Sequence, residues 1–140
     1  LESLHVRMER HCANAQAVAE FLEGHEKIAW VNYSGLPSSR YYELAKKYLP
    51  KGSCGVVSFG IRGGRAAAEK FMKKLQIAAI ETHVADARTC CLHPASATHR
   101  QMNDEELIAA GVPGDLVRLS CGLEHAEDLI ADLAQALESV

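Results

Sequence analysis

Apolar and small residues recur at Leu4, Met8, Cys12, Ala15, Ala19 and Leu22, in steps of three and four that draw one stripe along a helix. The stripe starts almost at residue 1 and stops near Gly24, so a long helix over 1–24 is expected, leading in from chain further upstream. The pattern then changes. Ile28 to Asn32 reads as a short strand, and Tyr33-Ser34-Gly35-Leu36-Pro37 as a turn. A helix is expected from about Arg40 to Tyr48, ended by Pro50 and Gly52. Gly55 to Ile61 reads as a second strand, Gly63-Gly64 as a plain turn rather than a phosphate cradle, and Ala67, Phe71, Met72 and Leu75 as one face of the next helix. Ile77 to Val84 and Leu116 to Cys121 are the other strands. Between them lie an irregular stretch, 86–101, and a short helix near Asp104 to Ala110 that Asn103 or Asp104 can cap. The last helix is expected from about Glu124, with Leu129, Ile130, Leu133 and Leu137 on one face, and with Glu124, Glu127 and Asp128 where the helix dipole favours negative charge.

This order predicts an α/β (α+β) fold: a two-layer sandwich in which a largely antiparallel sheet is covered by helices on one face. A length of 140 residues with 48% hydrophobic content suits a single domain, 1–140, with its own core. A net charge of -3 with 24% charged residues matches neither disorder nor a nucleic-acid binder. The longest apolar runs, such as Ile77 to Ile80 and Cys54 to Phe59, fall far short of the roughly 20 residues needed to cross a bilayer. No nucleic-acid or membrane partner is expected, and the protein is expected to be soluble and cytoplasmic.

The five cysteines, Cys12, Cys54, Cys90, Cys91 and Cys121, form no CxxC pair and are odd in number. They read as reduced, mostly core residues rather than a disulfide framework or a zinc knuckle. Among seven histidines there is no HExxH, and His5 and His11 would face different sides of a helix, so no metal is expected.

Chemistry concentrates in two places. Alternation along the last strand puts Val117, Leu119 and Cys121 on one face and Leu116, Arg118, Ser120 and Gly122 on the other. Arg118 therefore projects from mid-strand beside small residues. A guanidinium on a rigid strand suits a carboxylate, because its planar donors make two parallel charge-assisted bonds. A solvated arginine on an open sheet face is the equal alternative. The second place is His93-Pro94-Ala95-Ser96-Ala97-Thr98-His99, which reads either as a pocket wall or as a surface loop whose hydroxyls bond their own backbone. No GxSxG elbow is present, and Cys90-Cys91 reads as packing rather than redox chemistry.

The strings RHCAN (10–14), YYELAKKYLPKG (41–52), HPASATH (93–99) and LVRLSCGLE (116–124) resemble the carboxyl-terminal domain of the cystathionine-gamma-synthase-like, Cys/Met-metabolism enzymes that use pyridoxal phosphate (PLP). The lysine-rich segment and the ending GDLVRLSCGLEHAEDLIADLAQAL look most like O-acetylhomoserine sulfhydrylases, with methionine gamma-lyases close behind. The resemblance implies the small-domain fold of aspartate-aminotransferase-like enzymes. It also implies a preceding large domain that carries the Schiff-base lysine and most contacts to PLP, so that neither catalytic nor cofactor-binding residues are expected in this chain. Arg118 would bind the substrate α-carboxylate, with Ser96 and Thr98 as further pocket residues. The enzyme would exchange the acetate of O-acetylhomoserine for sulfide or a thiol, giving homocysteine or a methionine-like thioether, and would assemble as a homotetramer. A methionine gamma-lyase or cystathionine gamma-synthase domain is the alternative within this chemistry. A non-catalytic metabolite-binding or interaction module is the alternative outside it. Family members commonly carry Asn-Val-Gly-Asp or Ser-Leu-Gly-Asp where this chain has His83-Val84-Ala85-Asp86. By that correspondence His83 joins Arg118 at the carboxylate, and Ala85 replaces a glycine.

Overall fold

In the computed structural model, which describes all 140 residues, helix α1 spans Leu4–Glu23 and is followed by strand β1, Ile28–Asn32. Helix α2 covers Tyr42–Tyr48, strand β2 Val56–Ile61 and helix α3 Gly64–Met72. Two short strands follow, β3 at Ala79–Ile80 and β4 at Cys90–Leu92, then a 3-10 turn at Pro94–Ser96. Helix α4 (Asp104–Ala109), strand β5 (Leu116–Ser120) and helix α5 (Ala126–Glu138) complete the order. No helix is long and apolar enough to cross a membrane.

The sheet runs β1-β2-β5-β4-β3. Its three pairings β1–β2, β2–β5 and β5–β4 are antiparallel, and β3 pairs parallel to β4. The expected two-layer, largely antiparallel arrangement is therefore present. Val57, Phe59 and Ile61 of β2 and Val117 and Leu119 of β5 point into one layer, where they meet Ala15, Val18, Ala19 and Leu22 of α1, Ala68 and Phe71 of α3, and Leu129, Leu133 and Leu137 of α5. Each large apolar side chain taken fully out of water there stabilises the fold by roughly 1.5–3 kcal/mol. Phe59 and Phe71 meet edge to face with ring centroids 5.9 Å apart, one of the favoured aromatic geometries.

Three features differ from the sequence pattern. The strand expected over Ile77 to Val84 is reduced to Ala79–Ile80. Its start is held instead by Asp132 of α5, whose carboxylate accepts the backbone N–H groups of Gln76, Ile77 and Ala78 at 2.8, 2.9 and 3.0 Å. Inside the stretch expected to be irregular, Cys90–Leu92 forms β4, fully buried between β3 and β5. A three-residue strand carries too short a period to be recognised. On α1 the buried stripe includes His11 and Asn14, while Leu4, Met8 and Cys12 are only partly covered. The two polar residues are buried because they hydrogen-bond to the end of β5, described below.

Helix α4 starts as its sequence suggests. Asn103 accepts the Glu106 N–H at 2.9 Å, and Glu106 returns a bond to the Asn103 N–H at 2.9 Å, a reciprocal cap that satisfies two otherwise free donors. Helix α3 starts at Gly63, whose φ of 96° is a conformation open to glycine at no steric cost.

Candidate substrate-carboxylate site

Arg118 occupies the centre of β5, opposite Ser58 of β2 and Leu92 of β4, on the sheet face turned away from the helical layer. Its Nη2 donates to the carbonyl of Thr82 at 2.8 Å. Its Nε is buried and has no partner. Arg118 belongs to none of the ion pairs in the molecule, so its charge is not neutralised by an internal carboxylate. Ser58 and Ser120 are its small neighbours on the same face.

The rest of β5 and the turn after it hold the segment 82–89 in place over this face. Ser120 Oγ accepts the Ala85 N–H at 3.0 Å, and the Ala87 carbonyl accepts the Leu123 N–H at 2.8 Å. Glu124 takes both the N–H and the hydroxyl of Thr89, each at 2.7 Å, while the Thr89 hydroxyl oxygen accepts the Gly122 N–H at 2.8 Å. A side chain at position 122 would collide with the Ala87 carbonyl and the Glu124 carboxylate, so the glycine of the RLSCGLE string is required by close approach.

From the other side, α1 grips the same turn. Asn14 Nδ2 donates to the Gly122 and Glu124 carbonyls at 3.0 and 2.8 Å. His11 Nδ1 lies 2.6 Å from the Cys121 carbonyl; a carbonyl only accepts, so that nitrogen carries the proton. The RHCAN and RLSCGLE strings are thus two halves of one hydrogen-bonded joint.

Of the other residues singled out in the sequence, His83 lies on this segment next to Thr82 and is exposed, its Nδ1 2.9 Å from Glu81 Oε2 and 4.0 Å from Asp86 Oδ2. Ser96 and Thr98 make their hydrogen bonds elsewhere. Ser96 Oγ bonds His93 Nδ1 at 2.8 Å, and Thr98 Oγ1 bonds His99 Nδ1 at 2.9 Å. Ser96 lines a cleft of about 380 Å³ with Met72, Leu92 and His93, and Arg118 is not part of it. Arg118 thus reaches the backbone of Thr82, the chain neighbour of His83, while the His83 ring turns to Glu81, and Ser96 and Thr98 turn toward their own loop.

Two contributors escaped the sequence reading. His93 is 2% exposed and spans from Ser96 to the Gly114 carbonyl, 2.8 Å from its Nε2, so it fastens the 3-10 turn to the approach of β5. Its place at the head of the HPAS string was the available signal. Cys90, read only as packing, lies close to Glu81 and His83; burial first, then the Glu81 and Asp86 carboxylates, push its thiol above the ordinary range. Cys91 does pack as expected, with its sulfur 3.5 Å from that of Met72.

Residues 1–138 match the family model described as Cys/Met metabolism PLP-dependent enzyme. The chain belongs to that family. It is 50% identical over 138 residues to homocysteine synthase of Schizosaccharomyces pombe, covering 99% of this chain and 32% of the relative. It is 46% identical to O-acetyl-L-homoserine sulfhydrylase of Leptospira meyeri, covering 100% and 32%, and 45% identical to L-methionine gamma-lyase of Treponema denticola, covering 100% and 35%. The crystal structure of a Campylobacter jejuni protein assigned as an O-acetylhomoserine (thiol)-lyase, with a pyridoxyl-lysine phosphate, superposes with a TM-score of 0.90 at 42% identity, over 99% of this chain and 33% of that one. The chain thus spans about a third of the length of the relatives it matches.

The lysines of this chain do not fit the attachment of the family's cofactor. Lys46, Lys47, Lys51, Lys70, Lys73 and Lys74 are exposed, and Lys27 Nζ donates to the Leu137 carbonyl at 2.9 Å. None sits in an apolar pocket that would hold an amine neutral and nucleophilic. What the site offers is a fixed cation for an anionic group.

Proposed function

We propose that residues 1–140 act as the small, substrate-covering domain of a cytoplasmic O-acetylhomoserine sulfhydrylase, a homotetramer when complete, that exchanges acetate for sulfide or a thiol. The carrying observation is Arg118: a guanidinium fixed in mid-strand, free of any internal ion pair, with an unpartnered Nε. A carboxylate supplies the acceptors that such a fork lacks. In this reading Arg118 and His83 orient the amino-acid end of the substrate. Their contribution is positioning, which converts binding energy into alignment of the reacting end. PLP, held by residues outside this chain, supplies the electron sink when bound. Ser96 steadies the His93 turn that leads to β5, and Thr98 bonds only its neighbour His99, so neither is given a contact to substrate. The likeness to sulfhydrylases at 46% and to homocysteine synthase at 50% supports the transferase reading, and a gamma-lyase at 45% keeps elimination as the second reading.

The test is product analysis on the full-length protein. With O-acetylhomoserine and sulfide it should release acetate and homocysteine in equal amounts. Release of methanethiol and ammonia from L-methionine, with no exchange on O-acetylhomoserine, would assign the lyase instead. Absence of both would remove the sulfur-metabolism reading.

A further inference from the structure

Glu81, His83 and Cys90 each present one donor atom, an oxygen, a nitrogen and a sulfur, and the three lie within 4.8 Å of one another. The convergence is a product of the sheet. Cys90 pairs with Ala79 across the parallel β3–β4 ladder, and Glu81 continues that ladder through its N–H to the Cys91 carbonyl at 3.2 Å. Ala79 and Cys90 are register partners and so share a face, and the segment just beyond β3 brings Glu81 and His83 to the Cys90 thiol. We propose that Glu81, His83 and Cys90 bind a thiophilic divalent cation of the zinc(II) class, beside the Arg118 site.

One nitrogen, one sulfur and one oxygen suit a borderline-soft ion, whereas magnesium and calcium are held by oxygen alone. Tetrahedral bonds of about 2.0–2.3 Å place ligand atoms roughly 3.3–3.8 Å apart. The 2.9 Å between Glu81 Oε2 and His83 Nδ1, and the 4.8 Å limit on the whole set, bracket that spacing. Cys90 is fixed in its strand, while Glu81 and His83 are exposed and can adjust to it. Asp86 Oδ2 is 4.0 Å from His83 Nδ1 but lies outside the mutually close set, so a water or substrate atom would complete the shell. Thr82, whose carbonyl Arg118 holds, stands between two of the ligands. An ion there would stiffen the segment that orients Arg118 and add positive charge beside it. That consequence for substrate rests on the carboxylate reading of Arg118; the metal site does not.

The full-length protein, stripped with a chelator and titrated with zinc(II) against a competing chromophoric chelator, should take up one equivalent. Zinc X-ray absorption should show one sulfur at about 2.3 Å. Cys90→Ser should remove the sulfur shell, and His83→Asn and Glu81→Gln should each weaken zinc at least about tenfold, the lower bound for residues that only support metal ligands. Cys12→Ser should change neither. Should Cys90→Ser fail to fold, the exposed His83→Asn decides the matter by itself. No sulfur in the zinc shell, a sulfur that persists in folded Cys90→Ser, or unchanged affinity in His83→Asn overturns the site. One equivalent bound through these residues, with amino-acid affinity equal in the presence and absence of zinc, keeps the site and overturns its coupling to Arg118.

Discussion

Ala85 donates its backbone N–H to the Ser120 hydroxyl at 3.0 Å with φ at 60°, and it is the one non-glycine residue in the chain with positive φ. The left-handed conformation costs an L-residue roughly 1–2 kcal/mol, a cost that glycine does not carry. Ala85→Gly should therefore stabilise the protein by about 0.5–1 kcal/mol, after the added freedom of the unfolded chain is subtracted. Urea denaturation should show a higher midpoint at unchanged slope. Ala85→Val should move it the other way, because a branched side chain tolerates this conformation least.

Arg118→Lys keeps the charge and loses the planar fork. Substrate affinity in the full-length enzyme should fall about tenfold to hundredfold, the equivalent of a charge-assisted bond of roughly 1.5–3 kcal/mol, while cofactor content stays the same. A substrate analogue with an amide in place of the carboxylate should lose less. Titration of both ligands by enzyme absorbance checks the difference; equal losses, or none, would make Arg118 a structural residue.

Asp132 is 4% exposed and accepts three consecutive backbone N–H groups ahead of β3. Asp132→Ala would leave the buried Ala78 N–H without a partner, while the exposed Gln76 and half-buried Ile77 can turn theirs to water, so a loss of about 1–3 kcal/mol is expected. Asp132→Asn keeps one acceptor oxygen and should lose less. Thermal unfolding of the two variants should rank them in that order.

Alkaline pH should unfold the protein through its buried thiols. Burial first, then Glu124 and Cys54, push the Cys121 thiol up to about 12; burial also raises Cys91. A folded pKa above the unfolded one means that the unfolded chain releases its proton first as pH rises. The stability is thus fully present below the ordinary thiol range near 8.5 and is lost progressively from there to about 12, on the order of 1 kcal/mol per pH unit for each group. Urea midpoints measured from pH 7 to 10.5 should fall, and Cys121→Ala should flatten the curve.

Where a segment packs on the core and is long enough to show a period, its identity was legible along the chain. The alternation of Val117, Leu119 and Cys121, all fully buried, and the 3–4 spacing of Leu129, Leu133 and Leu137 needed only the period of a strand and of a helix. The cap at Asn103 was likewise local. Arg118 could be placed on the opposite face of β5 by the same alternation, but what it touches could not, because Thr82 lies 36 residues away. The same holds for Asp132 with Gln76 to Ala78, for His11 and Asn14 with the end of β5, and for Cys90 with Glu81 and His83. Each of these polar residues looks unremarkable in its own window. Period reveals which way a side chain points; only the packed chain decides which distant donor or acceptor it meets, since a buried polar group takes its meaning from its partner.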